Sequence, residues 1–189
     1  MERSPTGRKM VSHSGGWAGF ITYFLRGIEE DKCLVLLSNN STEYMRGLVK
    51  GMTALLYDRP ATLPPLFIRE VMGKEIATEG VEPAIANYRK YKAERPKEFV
   101  FAEDQLNPLG YFLIEADRVD DAVAVLRLNA EEYPGSSNVY DSYGDALLAS
   151  GDSAQALLNF RMALAMDTTL LATHKKIDAL EAVAAPMKE

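Results

Sequence analysis

The sequence predicts an α+β protein: an N-terminal three-stranded antiparallel sheet with one helix, then an all-α array of helical repeats. Three observations carry that expectation. Residues 10–40 consist of short β-branched and aromatic runs broken by turn residues. Three prolines then fall within residues 59–65. From residue 66 onward the apolar residues keep helical spacing, and one pattern returns after 34 residues.

Taken in order, three strands are expected at about 9–14, 19–27 and 32–38. The middle strand is Phe20 to Leu25, Gly27 to Asp31 reads as a turn, and Lys32 to Leu37 is the third apolar run. Ser38 to Ser41 ends it, and Thr42 is placed to cap a helix with Glu43 in its first turn. Met45, Leu48, Val49, Met52, Leu55 and Leu56 stand at i, i+3, i+4 and i+7, so residues 44–57 read as an amphipathic helix covering one face of the strands. Pro60, Pro64 and Pro65 cannot continue it, because proline lacks the N–H and fixes φ. The expected organisation is therefore a segment at 1–58, a proline-rich linker at 59–65 and a helical domain at 66–189.

The repeat aligns Leu106, Leu109, Gly110 and Leu113 with Tyr140, Tyr143, Gly144 and Leu147. Ala122, Leu126, Asn129 and Pro134 then fall on Ala156, Phe160, Ala163 and Thr168. The glycines permit close approach of the two helices in each pair, and the alanines are small where those helices cross. Turns are expected at Ala116 to Arg118, at Ser150 to Asp152 and, between repeats, at Pro134 to Ser137. A degenerate copy lies upstream, with Ile68, Val71 and Met72, a turn at Glu79 and Gly80, then Ala84, Tyr88 and Pro96, displaced by 38 residues. Residues 170–183 (Ile177, Leu180, Val183) supply a terminal capping helix. This spacing and residue set resemble the tetratricopeptide repeat, which implies three helix pairs plus a cap and a concave face that holds a peptide or protein. The first helices place Asp104, Asn107, Tyr111, Ile114 and Glu115, then Asn138, Asp141, Asp145 and Leu148, on that face. It is acidic, and no lysine or arginine of those helices reaches it, so the expected partner is basic. The partner could equally be intramolecular.

A second resemblance rests on His13, Ser14, Gly15, Gly16, Trp17, Gly19 and Phe20, between strands and ahead of a helix. The segment resembles the third active-site motif of the serine β-lactamase and penicillin-binding-protein superfamily, in class C-like members. It implies that His13 stands for the usual lysine, Ser14 lines the substrate carboxylate region, and Gly15 and Gly16 keep a strand edge open. The same family needs Ser-x-x-Lys and Tyr-x-Asn. Neither occurs in these 189 residues, and Ser38-Asn39-Asn40 and Ser136-Ser137-Asn138 match only a looser form. Adjacent residues on a strand face opposite ways, so neither Ser12 nor Ser14 makes a nucleophile–base pair with His13. His-Ser-Gly-Gly is also compatible with a plain β-turn.

Composition narrows the field. The chain is 47% hydrophobic and 25% charged, with net charge -6. Residues 103–189 carry six basic and fifteen acidic side chains, which argues against nucleic acid. No apolar run is long enough to span a bilayer. Residues 1–10 lack the apolar core of a signal peptide, whereas full-length members of the resembled hydrolase family work outside the cytoplasm. One cysteine and two histidines suggest neither a disulfide framework nor a metal site, and no cofactor is implied. Three functions stay open: an interaction module attached to a hydrolase remnant, part of an active hydrolase whose Ser-x-x-Lys half lies elsewhere, or a structural appendage. A small sheet with an unpaired edge also admits pairing with a second copy.

Overall fold

The computed structural model describes residues 2–39 and 44–184, which form two compact units divided after Pro65. The chain is α+β, a small antiparallel sheet with one helix followed by a helical repeat array. Asn40, Thr42 and Glu43 lie outside the described residues, as does the side chain of Val183.

The first unit is a meander in the order β1 (Glu2–Arg3), β2 (Lys9–Trp17), β3 (Phe20–Gly27), β4 (Lys32–Ser38), all antiparallel. Two features depart from the expected three strands. A two-residue strand β1 adds an edge, too short to show as a periodic run. Strand β2 continues three residues past Ser14, because Gly15, Gly16 and Trp17 pair with Thr22, Ile21 and Phe20. The turn is thus Ala18-Gly19, with Gly19 at φ +81°, and not the Gly15-Gly16 pair. Gly15 lies in the strand beside Thr22: a Cβ there would lie 2.8 Å from Thr22 Oγ1, so a side chain at this position would turn the exposed threonine aside.

Alternation sorts the two faces. Met10, Leu25 and Leu34 are buried together, with Tyr23, Leu36 and Leu56 packed around them. Leu56 belongs to α1 (Met45–Leu56), which packs against β4. The helix covers the sheet less fully than its spacing suggests, since Leu48, Met52 and Leu55 are exposed. Its Gly47 and Gly51 instead face the proline-rich stretch: a Cβ on Gly47 would lie 2.5 Å from Pro64 Cβ, and one on Gly51 3.3 Å from Thr62 O.

The second unit holds three helix pairs and a cap: α2 (Ile68–Glu79) with α3 (Val81–Glu94), α4 (Glu103–Glu115) with α5 (Val119–Glu132), α6 (Ser137–Ala149) with α7 (Ser153–Met166), then α8 (Leu171–Ala184). The repeat holds down to its turns. Asp117 N donates to Ile114 O and Arg118 N to Leu113 O; 34 residues on, Gly151 N donates to Leu148 O and Asp152 N to Leu147 O. Asp117 and Gly151 share the left-handed conformation this turn requires, at φ 58° and 88°.

Ala122, Leu126, Ala156 and Phe160 are fully buried, as are Ala84 and Tyr88 of the degenerate pair within 1%. A Cβ on Gly110 would lie 2.3 Å from Leu126 Cγ, and one on Gly144 2.5 Å from Phe160 Cε1. The 38-residue interval has a structural cause. The extra residues form β6 (Phe99–Val100), which pairs in parallel with β5 (Leu66–Phe67). Phe99 stacks on Tyr91 at 4.8 Å and Phe101 meets Tyr88 edge-on at 5.2 Å.

Gly110→Ala should cost about 1–3 kcal/mol, because the new methyl overpacks Leu126. Gly135→Ala, where a Cβ meets nothing within 4 Å, should stay within about 0.5 kcal/mol of the parent. Urea unfolding followed by circular dichroism distinguishes the two.

Candidate functional site

His13 and Ser14 sit in the middle of β2, opposite Phe24 and Tyr23 of β3. Their side chains point to opposite faces: Ser14 shares a face with Tyr23 and Leu25, and His13 shares one with Phe24. Both are exposed and Gly15 is half-buried. The three residues form a continuous strand segment that by itself unites no nucleophile with a base. The other histidine, His174, is in the second unit, with Nε2 3.3 Å from Thr168 O. A polar hollow of about 620 Å³ does occur in the first unit, at the other end of the strands, lined by Thr6, Arg8, Glu30, Lys32, Tyr57 and Asp58. There Thr6 donates to Glu30, and Tyr57 OH donates to its second oxygen at 2.8 Å. The Thr6 hydrogen bond, with the Tyr57 contact, holds the Glu30 carboxyl below its ordinary range.

The expected interaction face is built from the first helices of successive pairs. Asp104 and Glu115 of α4 are exposed, Tyr111 is only partly exposed with its hydroxyl turned to α6, and Ile114 turns in to pack against the core. Asn107 is half-buried, and its side-chain oxygen has no hydrogen-bond partner among the described residues. On α6, Asn138 Nδ2 donates to Glu103 Oε1 of α4 at 2.8 Å, joining adjacent helices.

Asp141 and Asp145 are not the open acids expected. Lys176 of α8 reaches both: Nζ lies 2.9 Å from Asp141 Oδ2 and 2.7 Å from Asp145 Oδ1. Tyr111 OH donates to Asp145 Oδ2 at 2.8 Å, and Thr173 Oγ1 donates to Asp141 Oδ1 at 2.7 Å. The lysine also lies over the Phe160 ring at 5.0 Å. One polar ladder thus runs across α4, α6 and α8. The 34-residue period sets Lys175, not Lys176, at the position equivalent to Asp141, so the repeat pattern in the sequence does not point to this contact. Reading α8 only as a cap hid its inward face.

The ladder shifts its members. Burial alone would lower Lys176, but its hydrogen bonds to Asp145 and Asp141 outweigh that and raise it. Burial pushes Tyr111 up to about 12, with the Asp145 contact adding to the rise and Ser142 opposing it. A separate hollow of about 540 Å³, lined by Pro134, Tyr140, Tyr143, Leu158 and Met162 among others, lies between α5, α6 and α7, drawn from three helices whose separate patterns carry no sign of it.

No family model matches the chain. Penicillin-binding protein 4* of Bacillus subtilis (strain 168) is 38% identical over 66 residues, which is 34% of this chain and 15% of that protein. The chain therefore spans about 15% of this curated relative's length. Among solved structures, a point mutant of MamA is 21% identical with TM-score 0.47, covering 62% of this chain and 82% of its own. MamA AMB-1 is 21% identical with TM-score 0.42, covering 62% of each chain. These likenesses add nothing to the repeat geometry already described.

The ladder should show in the pH dependence of stability. Tyr111 and Lys176 both have folded-state values above their unfolded ones; the Tyr111 contribution is complete below about pH 10 and is lost as pH rises toward about 12, and the raised Lys176 adds a loss of the same sign at alkaline pH. Urea unfolding from pH 8 to 12 should give a falling stability. The Tyr111→Phe/Lys176→Met variant should be less stable at pH 8 and should fall less steeply.

Proposed function

We propose that the chain is a protein-interaction module: the helical array holds a protein or peptide segment on the face formed by α4, α6 and α8. The observation that carries this reading is the ladder from Tyr111 through Asp145 and Lys176 to Asp141. It aligns three helices into one surface and keeps their polar groups on it. Because Lys176 already satisfies Asp141 and Asp145, the acids left for a partner are Asp104 and Glu115, and the partner is a segment bearing lysine or arginine. Glu115 and Asp104 would give such a segment its charge register and its salt-dependent attraction.

The test is fluorescence anisotropy with a labelled ten-residue Lys/Arg-rich peptide and its Glu-substituted counterpart. The basic peptide should bind, weaken with salt, and lose about tenfold in affinity on Asp104→Lys/Glu115→Lys, equivalent to ~1.4 kcal/mol. Equal affinity for the acidic peptide would sink the basic-partner reading.

A second reading is favoured by the likeness to the penicillin-binding protein over 66 residues, taken with the His13-Ser14-Gly15 segment of the sheet unit. In this reading the sheet unit is one wall of a β-lactamase-like serine hydrolase whose nucleophile lies outside these residues. Nitrocefin and p-nitrophenyl acetate should then not be turned over by the purified chain. Clear turnover lost on His13→Ala would instead place a working site on this chain.

A further inference from the structure

The sheet of the first unit has two unlike faces. One packs on its own core. The other carries Val11 and Trp17 of β2, Phe20 and Phe24 of β3, and Val35 and Leu37 of β4, aligned by register. Their exposure runs from 38% at Val11 to 82% at Trp17. Together they present on the order of 700 Å² of apolar side chain, taking ~150–250 Å² for each full-sized group. The largest apolar patch on an ordinary monomer is about 300–600 Å², and each partner in a standard interface contributes about 800 Å². The area is that of one half of a stable interface.

The pattern on this face is complementary to itself. Its cations, Lys9 and Arg26, stand at one end, and Trp17 and Phe20 stand at the other. None of these strand positions holds Asp or Glu. A two-fold axis running across the strands, between the levels of Thr22 and Phe24, reverses a second copy end for end. Arg26 of one copy then lies over Phe20 and Trp17 of the other, a cation on aromatic faces, and the like charges are kept apart. The same operation sets large side chains against small ones: Phe24 on Thr22, Trp17 on Val11, and His13 on Gly15. We propose that this face is an isologous interface between two copies of the chain, sheet packed on sheet about 10 Å apart. The occupant differs from the segment held by the helical array, and the two readings fail independently.

The chain carries its own probes, with Trp17 its one tryptophan and Cys33 its one cysteine. Sedimentation velocity on the whole chain under reducing conditions, from 1 to 100 µM, should show a monomer–dimer equilibrium. Trp17 emission should shift to the blue as the dimer forms. A spin label on Cys33 should give one intermolecular distance of roughly 20–25 Å, from six residues of stagger at ~3.3 Å and the sheet spacing. Thr22→Lys and, separately, Phe24→Lys should weaken dimerisation at least tenfold with the circular dichroism spectrum unchanged. The proposal is overturned by a monomer at 100 µM, by a dimer that survives both substitutions, by Trp17 shielded within a monomer, or by oxidative cross-linking of Cys33 between copies.

Discussion

Two glycines set the spacing of the helical array, and most of the second unit follows from that spacing. At Gly110 and Gly144 the facing helix comes so near that even a methyl group would enter the space of Leu126 or Phe160. The pair can close only because Ala122 and Ala156 are small at the crossing. Closure in turn buries Leu126 and Phe160 completely and fixes the turn at Asp117 and Gly151 in its left-handed form. Each repeat is thus a rigid unit, and neighbouring first helices are held close enough for side chains to meet.

The polar ladder is a consequence of that closeness. Asp141 and Asp145 on one helix would be costly half-buried neighbours if left alone. Lys176 of α8 neutralises part of their charge, and hydroxyls of Tyr111 and Thr173 fill remaining acceptor positions. The acidic surplus of residues 103–189 is therefore unevenly available. Some of it holds the array together, and some stays exposed at Asp104 and Glu115.

What was legible in the sequence depended on whether a signal was periodic. Residues 34 apart revealed the helix pairs, their small crossings and their turns, since every repeat restates the same packing problem. Three strands were visible from their β-branched and aromatic runs. Strand β1 and the β5–β6 pair were not, because two residues carry no period. Gly15 and Gly16 read as a turn because glycine is common there, yet cross-strand pairing to Thr22 and Ile21 makes them strand. Asp104, Asn107, Tyr111 and Glu115 lie on α4 and Asn138, Asp141 and Asp145 on α6, but their side-chain partners were invisible. Lys176 reaches Asp141 and Asp145 through a contact between repeats that no local pattern records. His13 and Ser14 show the reverse case, where strand alternation alone already separated them.

The parallel pairing of β5 with β6 has a mechanical meaning. Residue 66 is where the chain enters the array, and Leu66 N donates to Glu98 O at 2.8 Å just before β6 leads into α4. Tension transmitted through residue 65 therefore meets this pairing before it reaches helix α2. Because the strands are parallel, a pull on the start of one against the end of the other loads the pairing in shear, so its bonds share the force and do not peel singly. The four-residue insertion gives the array an anchor at its entrance, and a load arriving there is borne by strand pairing and the stacked Phe99 and Tyr91 rings.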